Sequence, residues 1–128
     1  MNIGKAASLS GLTIKTVRYY SDIGIIEPAI HSDTGYRMFS TDDVAKLQFI
    51  GKARRFNFGI EECRELLALY ENKDRSSKNV KKLTLEKIAE IDIKLNELKG
   101  LRDQLGKLAL ACEGNERSQC PILDALSS

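Results

Sequence analysis

The 128 residues give room for one domain, or for one small domain with an extended arm. A net charge of +2 is too small to advertise nucleic-acid binding by itself, yet residues 1–59 hold eight Lys/Arg against five Asp/Glu while the rest of the chain is close to balanced. No run of 18 apolar residues exists, so no membrane span is expected; the opening MNIGKAASLSGL reads as an amphipathic helix rather than an export signal, and three cysteines make no even disulfide framework, which together point to the cytoplasm.

Asn2 is placed to cap a first short helix from Ile3 to Leu9, with Ile3, Ala6, Ala7 and Leu9 turned inward. Ser10-Gly11 breaks it, and Thr13 caps a second helix from Ile14 to about Ile23 that stops at Gly24. Two short helices around a Gly-containing turn, with small Ala7 allowing a close crossing, form a helix-turn-helix pattern. On the second helix Ile14, Val17 and Tyr20 supply an inner face, while Lys15, Thr16, Arg18 and Tyr19 are polar or basic. No acidic residue occurs between Met1 and Tyr20, which suits a major groove walled by phosphates. A helical hairpin with ordinary solvated lysines has the same pattern; the stretch after Pro28 favours the nucleic-acid reading.

Pro28 ends the helical region, and His31 to Phe39 reads as a hairpin turning at Asp33-Thr34-Gly35. Tyr36 and Arg37 lie on its returning strand. A basic, aromatic hairpin beside a helix-turn-helix is a wing, in which Arg37 can pair with phosphate oxygens and Tyr36 can hydrogen-bond to one. Ser40 to Asp43 forms a capping box that opens a third helix, about Thr41 to Phe56, with Val44, Leu47, Phe49 and Ile50 as core. Lys52, Arg54 and Arg55 near its end suit either a DNA backbone or the helix dipole. A fourth helix runs from Ile60 to about Asn72, where Cys63 reads as a small buried residue. Lys73 to Ser77 is a polar hinge.

The longest element is a helix from Val80 to Cys112. Ile88, Ile91, Leu95, Leu98, Leu101, Leu105, Leu108 and Cys112 recur at steps of three or four, close to a heptad seam, opposite a polar face that includes Lys87, Glu90, Lys94 and Glu97. So short a chain has little to bury such a seam against. The economical partner is the same helix of a second copy, parallel or antiparallel; the alternative is a helix folded back on its own domain.

Beyond it, Cys112 and Cys120 are separated by seven residues, and Cys120 precedes Pro121 at the start of a short terminal helix, a place that favours a thiolate. Two thiols without a neighbouring His or carboxylate pair make a soft, low-coordination site that fits Cu(I), Ag(I) or Au(I) better than Zn(II). A disulfide switch and two unrelated structural cysteines are the competing readings of the same spacing.

GLTIKTVRYY (11–20), GYRMFS (35–40), KARRFNF (52–58), TLEKIAEI (84–91), RDQL (102–105) and the Cys112-x7-Cys120-Pro-Ile ending make the sequence resemble the MerR family of transcription regulators, most closely its copper-efflux branch. The resemblance covers nearly the whole chain. It implies a mainly α fold: a winged helix-turn-helix DNA-binding domain at 1–72, a hinge at 73–79, a dimerisation helix at 80–111 in an antiparallel coiled coil, and a metal-binding loop with a short terminal helix at 112–128. It further implies a homodimer on a palindromic operator in double-stranded promoter DNA, sharing that promoter with RNA polymerase and activating it by metal-induced distortion of the DNA. Carried over by position, Cys112 and Cys120 would hold one Cu(I) per subunit, with Ag(I) or Au(I) as alternatives. Lys15, Arg18, Tyr20, Tyr36 and Arg37 would contact DNA, which makes Tyr20 a partly exposed contact rather than pure core. Ser77 stands where divalent-metal relatives carry a third cysteine from the partner subunit, so it would act in selectivity without being a ligand; it is also a suitable helix cap. His31 replaces a basic wing residue, which weakens the case for a phosphate contact there at neutral pH. No acid–base pair, activated nucleophile or phosphate loop suggests an enzyme. A thiol redox sensor on the same scaffold and a cytosolic copper chaperone or buffer are the alternatives.

Overall fold

The computed structural model describes residues 1–127. In chain order it contains α1 (Ile3–Ser10), α2 (Ile14–Asp22), β1 (Ala29–Ile30), β2 (Arg37–Met38), α3 (Thr41–Arg55), α4 (Ile60–Glu71), α5 (Ser77–Ala111) and α6 (Pro121–Ser127). The fold is mainly helical, with one short antiparallel hairpin in which Ala29 pairs with Met38 and Ile30 with Arg37. It falls into two compact units, residues 1–81 and residues 82 onward, with α5 crossing the division.

In the first unit local chemistry sets each helix end. The Asn2 side chain accepts from the Lys5 N–H at 2.9 Å and opens α1; the Thr13 hydroxyl accepts from the Thr16 N–H at 3.1 Å and opens α2. Between them Gly11 takes φ 72°, a left-handed conformation that glycine adopts without a Cβ clash, and the chain turns in three residues. Ser40 and Asp43 form the expected reciprocal capping box at the start of α3. Ala6 and Ala7, both buried, let α1 approach α2 and α3, and Val17, Ile26, Phe39, Leu47, Ile50 and Cys63 close the core around them. Met1 is fastened to this core: its ammonium donates to the Phe39 carbonyl, and its own carbonyl accepts the Phe39 N–H, both at 2.7 Å. Arg64 of α4 donates to the Ile23 carbonyl at 3.0 Å, so α4 also closes the end of α2.

Three expectations on helix faces are corrected. Leu9 and Ile14 are half exposed instead of inward-facing, because α3 packs along α1 on the side marked by Ala6 and Ala7. Ser77 is the first helical residue of α5 and not its cap; the Ser76 hydroxyl accepts the Lys78 N–H at 3.2 Å. Lys87, assigned by periodicity to the polar face, is 5 % exposed, and its ammonium meets the Glu90 carboxylate at 2.6 Å.

Helix α5, most of which lies in the second unit, is continuous over 35 residues, on the order of 52 Å at 1.5 Å per residue. Its seam is uncovered in the single chain: Ile88, Leu95, Leu98, Leu101 and Leu105 are all about half or more exposed. No helix among the described residues is long and apolar enough to cross a membrane.

Candidate DNA-binding face and dithiol site

The first unit presents a cleft of about 660 Å³ between the start of α1, the middle of α2 and the wing. Arg18, His31, Tyr36 and Arg37 line it, together with the backbone around Gly4. Lys15 and Arg18 lie on the outer face of α2 and are exposed, and Tyr36 stands 75 % exposed at the tip of the returning strand. The wing keeps its shape through its backbone: Gly35, at φ 72°, donates to the His31 carbonyl at 2.9 Å, and the His31 N–H donates to the Tyr36 carbonyl at 2.8 Å.

Arg37 is not a free cation. Its guanidinium forms an ion pair with Asp22 at the end of α2 and donates to the Arg18 carbonyl at 3.3 Å, tying wing to helix. Nothing in the sequence pattern marks Asp22 for this role, since a pairing across 15 residues leaves no periodic trace.

Tyr20 is a further correction. Its ring is 5 % exposed and belongs to the core, not to a partly exposed contact surface. The reason is its position one turn after Val17 on the face of α2 that packs inward. Burial pushes its phenol above the ordinary value, while neighbouring Arg54 pulls the other way. Arg54 is itself engaged, donating to the Phe58 carbonyl at 2.9 Å.

The second unit brings Cys112 and Cys120 together at the end of α5, with their sulfurs 4.0 Å apart. Cys112 continues the α5 hydrogen-bond ladder, its N–H donating to the Leu108 carbonyl at 3.1 Å. Cys120 caps α6, and its carbonyl accepts the Asp124 N–H at 3.1 Å. The loop between them is shaped by Gly114 at φ 64° and by Asn115, whose side chain accepts the Arg117 N–H at 2.9 Å and donates to Glu113. Both thiols are half-buried and free.

The Leu123 N–H, then that of Ile122 and the Cys112 thiol, hold the Cys120 thiol below its ordinary range against a smaller opposing effect of burial. A sulfur so solvated by donors is prepared to be a thiolate, the form that binds metal. A 4.0 Å gap can be spanned by one ion at metal–thiolate lengths of about 2.3 Å, so the pair fits a soft cation. Among the described residues no group of three or more His, Cys, Asp and Glu gathers around a point. The third cysteine, Cys63, is buried in the core of the other unit, as its apolar neighbours in sequence indicate.

Two family descriptions match the chain: "MerR HTH family regulatory protein" over residues 1–69 and "MerR, DNA binding" over residues 44–108. The chain is 51% identical to the HTH-type transcriptional regulator HmrR of Rhizobium leguminosarum bv. viciae, covering 99% of this chain and 98% of that protein. It is 42% identical to the HTH-type transcriptional regulator CueR of Salmonella typhimurium, covering 99% and 92%. Among solved structures it is similar to the transcription regulator PbrR691 of Ralstonia metallidurans CH34 in complex with lead(II), with a TM-score of 0.81, 28% identity and 98% of each chain covered.

Proposed function

We propose, for a chain that belongs to the MerR family of DNA-binding transcription regulators, that it is a Cu(I)-responsive activator of copper-detoxification promoters in the cytoplasm. It is a regulator and not an enzyme. The observation that carries the copper reading is the isolated pair of free thiols, 4.0 Å apart, one of them already biased toward thiolate. Metal responsiveness as such is supported by the similarity to a regulator solved with lead(II). The choice of a monovalent ion rests on donor number and softness: two sulfurs suit Cu(I), and Ag(I) and Au(I) share that chemistry. Ser77 in place of a thiol removes one further sulfur from the dimer and acts in the same direction.

In this reading residues 1–72 bind DNA, 73–79 form the hinge, its last three residues being the first turn of α5, which starts three residues before the expected Val80, 80–111 pair the subunits and 112–128 hold the ion, one per subunit. The half-exposed seam of α5 supports a homodimer through an antiparallel coiled coil, since covering the remaining half of each Leu or Ile there contributes about 1 kcal/mol. Two heads related by a two-fold axis match a palindromic operator. Lys15, Arg18, Tyr36 and Arg37 face it; Tyr20 supports the reading helix from within. Cys112 and Cys120 would hold the ion through their sulfurs, and the ordering of the loop between them would bias the dimer toward a state that bends and untwists the promoter, bringing its two elements into register for RNA polymerase.

Transcription from the operator promoter under anaerobic, buffered Cu(I), with Zn(II) and a mild oxidant added in parallel, tests the reading. Activation by Cu(I) alone is expected. Activation by oxidant without metal would replace it with a Cys112–Cys120 redox switch on the same fold.

A further inference from the structure

We propose that Asn115 is a specificity-determining residue of the dithiol site: it holds the Glu113 carboxylate and so denies a bound ion an oxygen donor beside the two sulfurs. Glu113 directly follows Cys112, which makes it the carboxylate nearest in sequence to either thiol. Its Oε2 accepts from Nδ2 of Asn115 at 2.9 Å. The other end of the same amide is also engaged, since Oδ1 of Asn115 accepts the Arg117 N–H at 2.9 Å. One end accepts and the other donates, so the two bonds fix the orientation of the amide and aim its donors at Glu113. Gly114, between the two residues, takes φ 64°, a left-handed turn across which their side chains meet. Glu113, Asn115 and Arg117 line a cleft of about 180 Å³ that neither cysteine lines. Among the described residues the two sulfurs gather no carboxylate into a three-donor cluster. The nearest acid is thereby turned aside from the thiols by a neighbour, not by distance along the chain. Zn(II) and Cd(II) take more than two donors and accept carboxylate oxygen, whereas two thiolates satisfy Cu(I). A released Glu113 would convert a two-sulfur site into one with an added oxygen, so the hydrogen bond from Asn115 works against divalent ions.

The inference rests on the reading that Cys112 and Cys120 bind metal, and binding measurements separate the two. Reduced, metal-free protein is titrated anaerobically with Cd(II), whose thiolate charge-transfer band in the ultraviolet reports the sulfurs, and with Cu(I) in competition with a chelator. Asn115→Ala frees Glu113 without adding a charge, and combining it with Glu113→Gln removes the freed carboxylate. Cd(II) affinity should rise about tenfold in Asn115→Ala and return to the wild-type value in the double variant, with Cu(I) affinity changed by less than about threefold. Unaltered Cd(II) affinity in Asn115→Ala would overturn the inference, as would a gain that persists without Glu113. An equal loss for both ions would overturn it too, making Asn115 a brace of the loop alone. Each of those results leaves the metal site standing. Cu(I) bound as tightly by Cys112→Ser as by the wild type would instead remove the ligand assignment, and the inference with it.

Discussion

The head and the rod of this molecule solve different problems. Residues 1–81 bury Phe39, Leu47, Ile50 and Cys63 within their own chain and cap their helices with their own side chains. From residue 82 onward the reverse holds: α5 leaves its leucines half exposed, and two thiols stand near each other without a disulfide between them. A region complete in itself is suited to be a rigid reader, and a region with an uncovered seam and a pair of thiols is suited to respond. The proposed function accordingly gives recognition to the first and regulation to the second.

The sharpest way to break this division is at the thiols. Cys112→Ser and Cys120→Ser should each abolish activation by Cu(I) while operator binding persists, read out by transcription and by gel shift on the same preparations. Normal induction in either variant would remove the ligand assignment. Next in size is the seam. Leu98→Lys places a charge on a position that is 62 % exposed in the single chain, where surface substitutions ordinarily change stability by roughly 0.5 kcal/mol or less. If a second copy covers it, sedimentation should show monomers and operator affinity should collapse; an unaltered dimer would mean that the seam has no partner.

Leu47→Ala probes the self-sufficient half. Leu47 is fully buried, so the variant should lose about 2–5 kcal/mol in denaturant unfolding, a loss expected equally in a head expressed with a monomerising rod mutation. Smaller still is the capping box: Asp43→Ala should cost about 1 kcal/mol by the same measurement, with metal response unchanged.

The smallest effect concerns acidity. Donors at Leu123 and Ile122 lower the Cys120 thiol, so Cys120 stays a thiolate to lower pH than an ordinary cysteine. The stabilisation linked to that shift is full above the ordinary thiol value and is lost as pH falls through the lowered one. Alkylation of Cys120 against pH, followed by peptide mass spectrometry, should show a midpoint below that of a free cysteine. A midpoint at or above it would contradict the role of the α6 N–H groups.

Much of this architecture was legible in the residues because it is local. Asn2, Thr13 and Ser40 mark helix starts, and the structural boundaries of α1 to α4 lie within a residue or so of the expected ones. The heptad seam and the Cys112–Cys120 pairing were readable for the same reason, since each lies within one helix or one short loop. The misses are long-range. Whether Tyr20 or Ile14 faces the core depends on where α1, α3 and α4 lie against α2, and nothing in an i, i+3, i+4 pattern fixes that. The pairing of Arg37 with Asp22 and the approach of Arg54 to Tyr20 join residues far apart in sequence.

Native mass spectrometry of the protein loaded anaerobically with Cu(I), alongside Cys112→Ser, tests most directly whether the rod is completed from outside its own chain. The account predicts two chains with two copper ions for the wild type, and two chains with none for the variant. A single chain, or copper retained at full stoichiometry without Cys112, would contradict it.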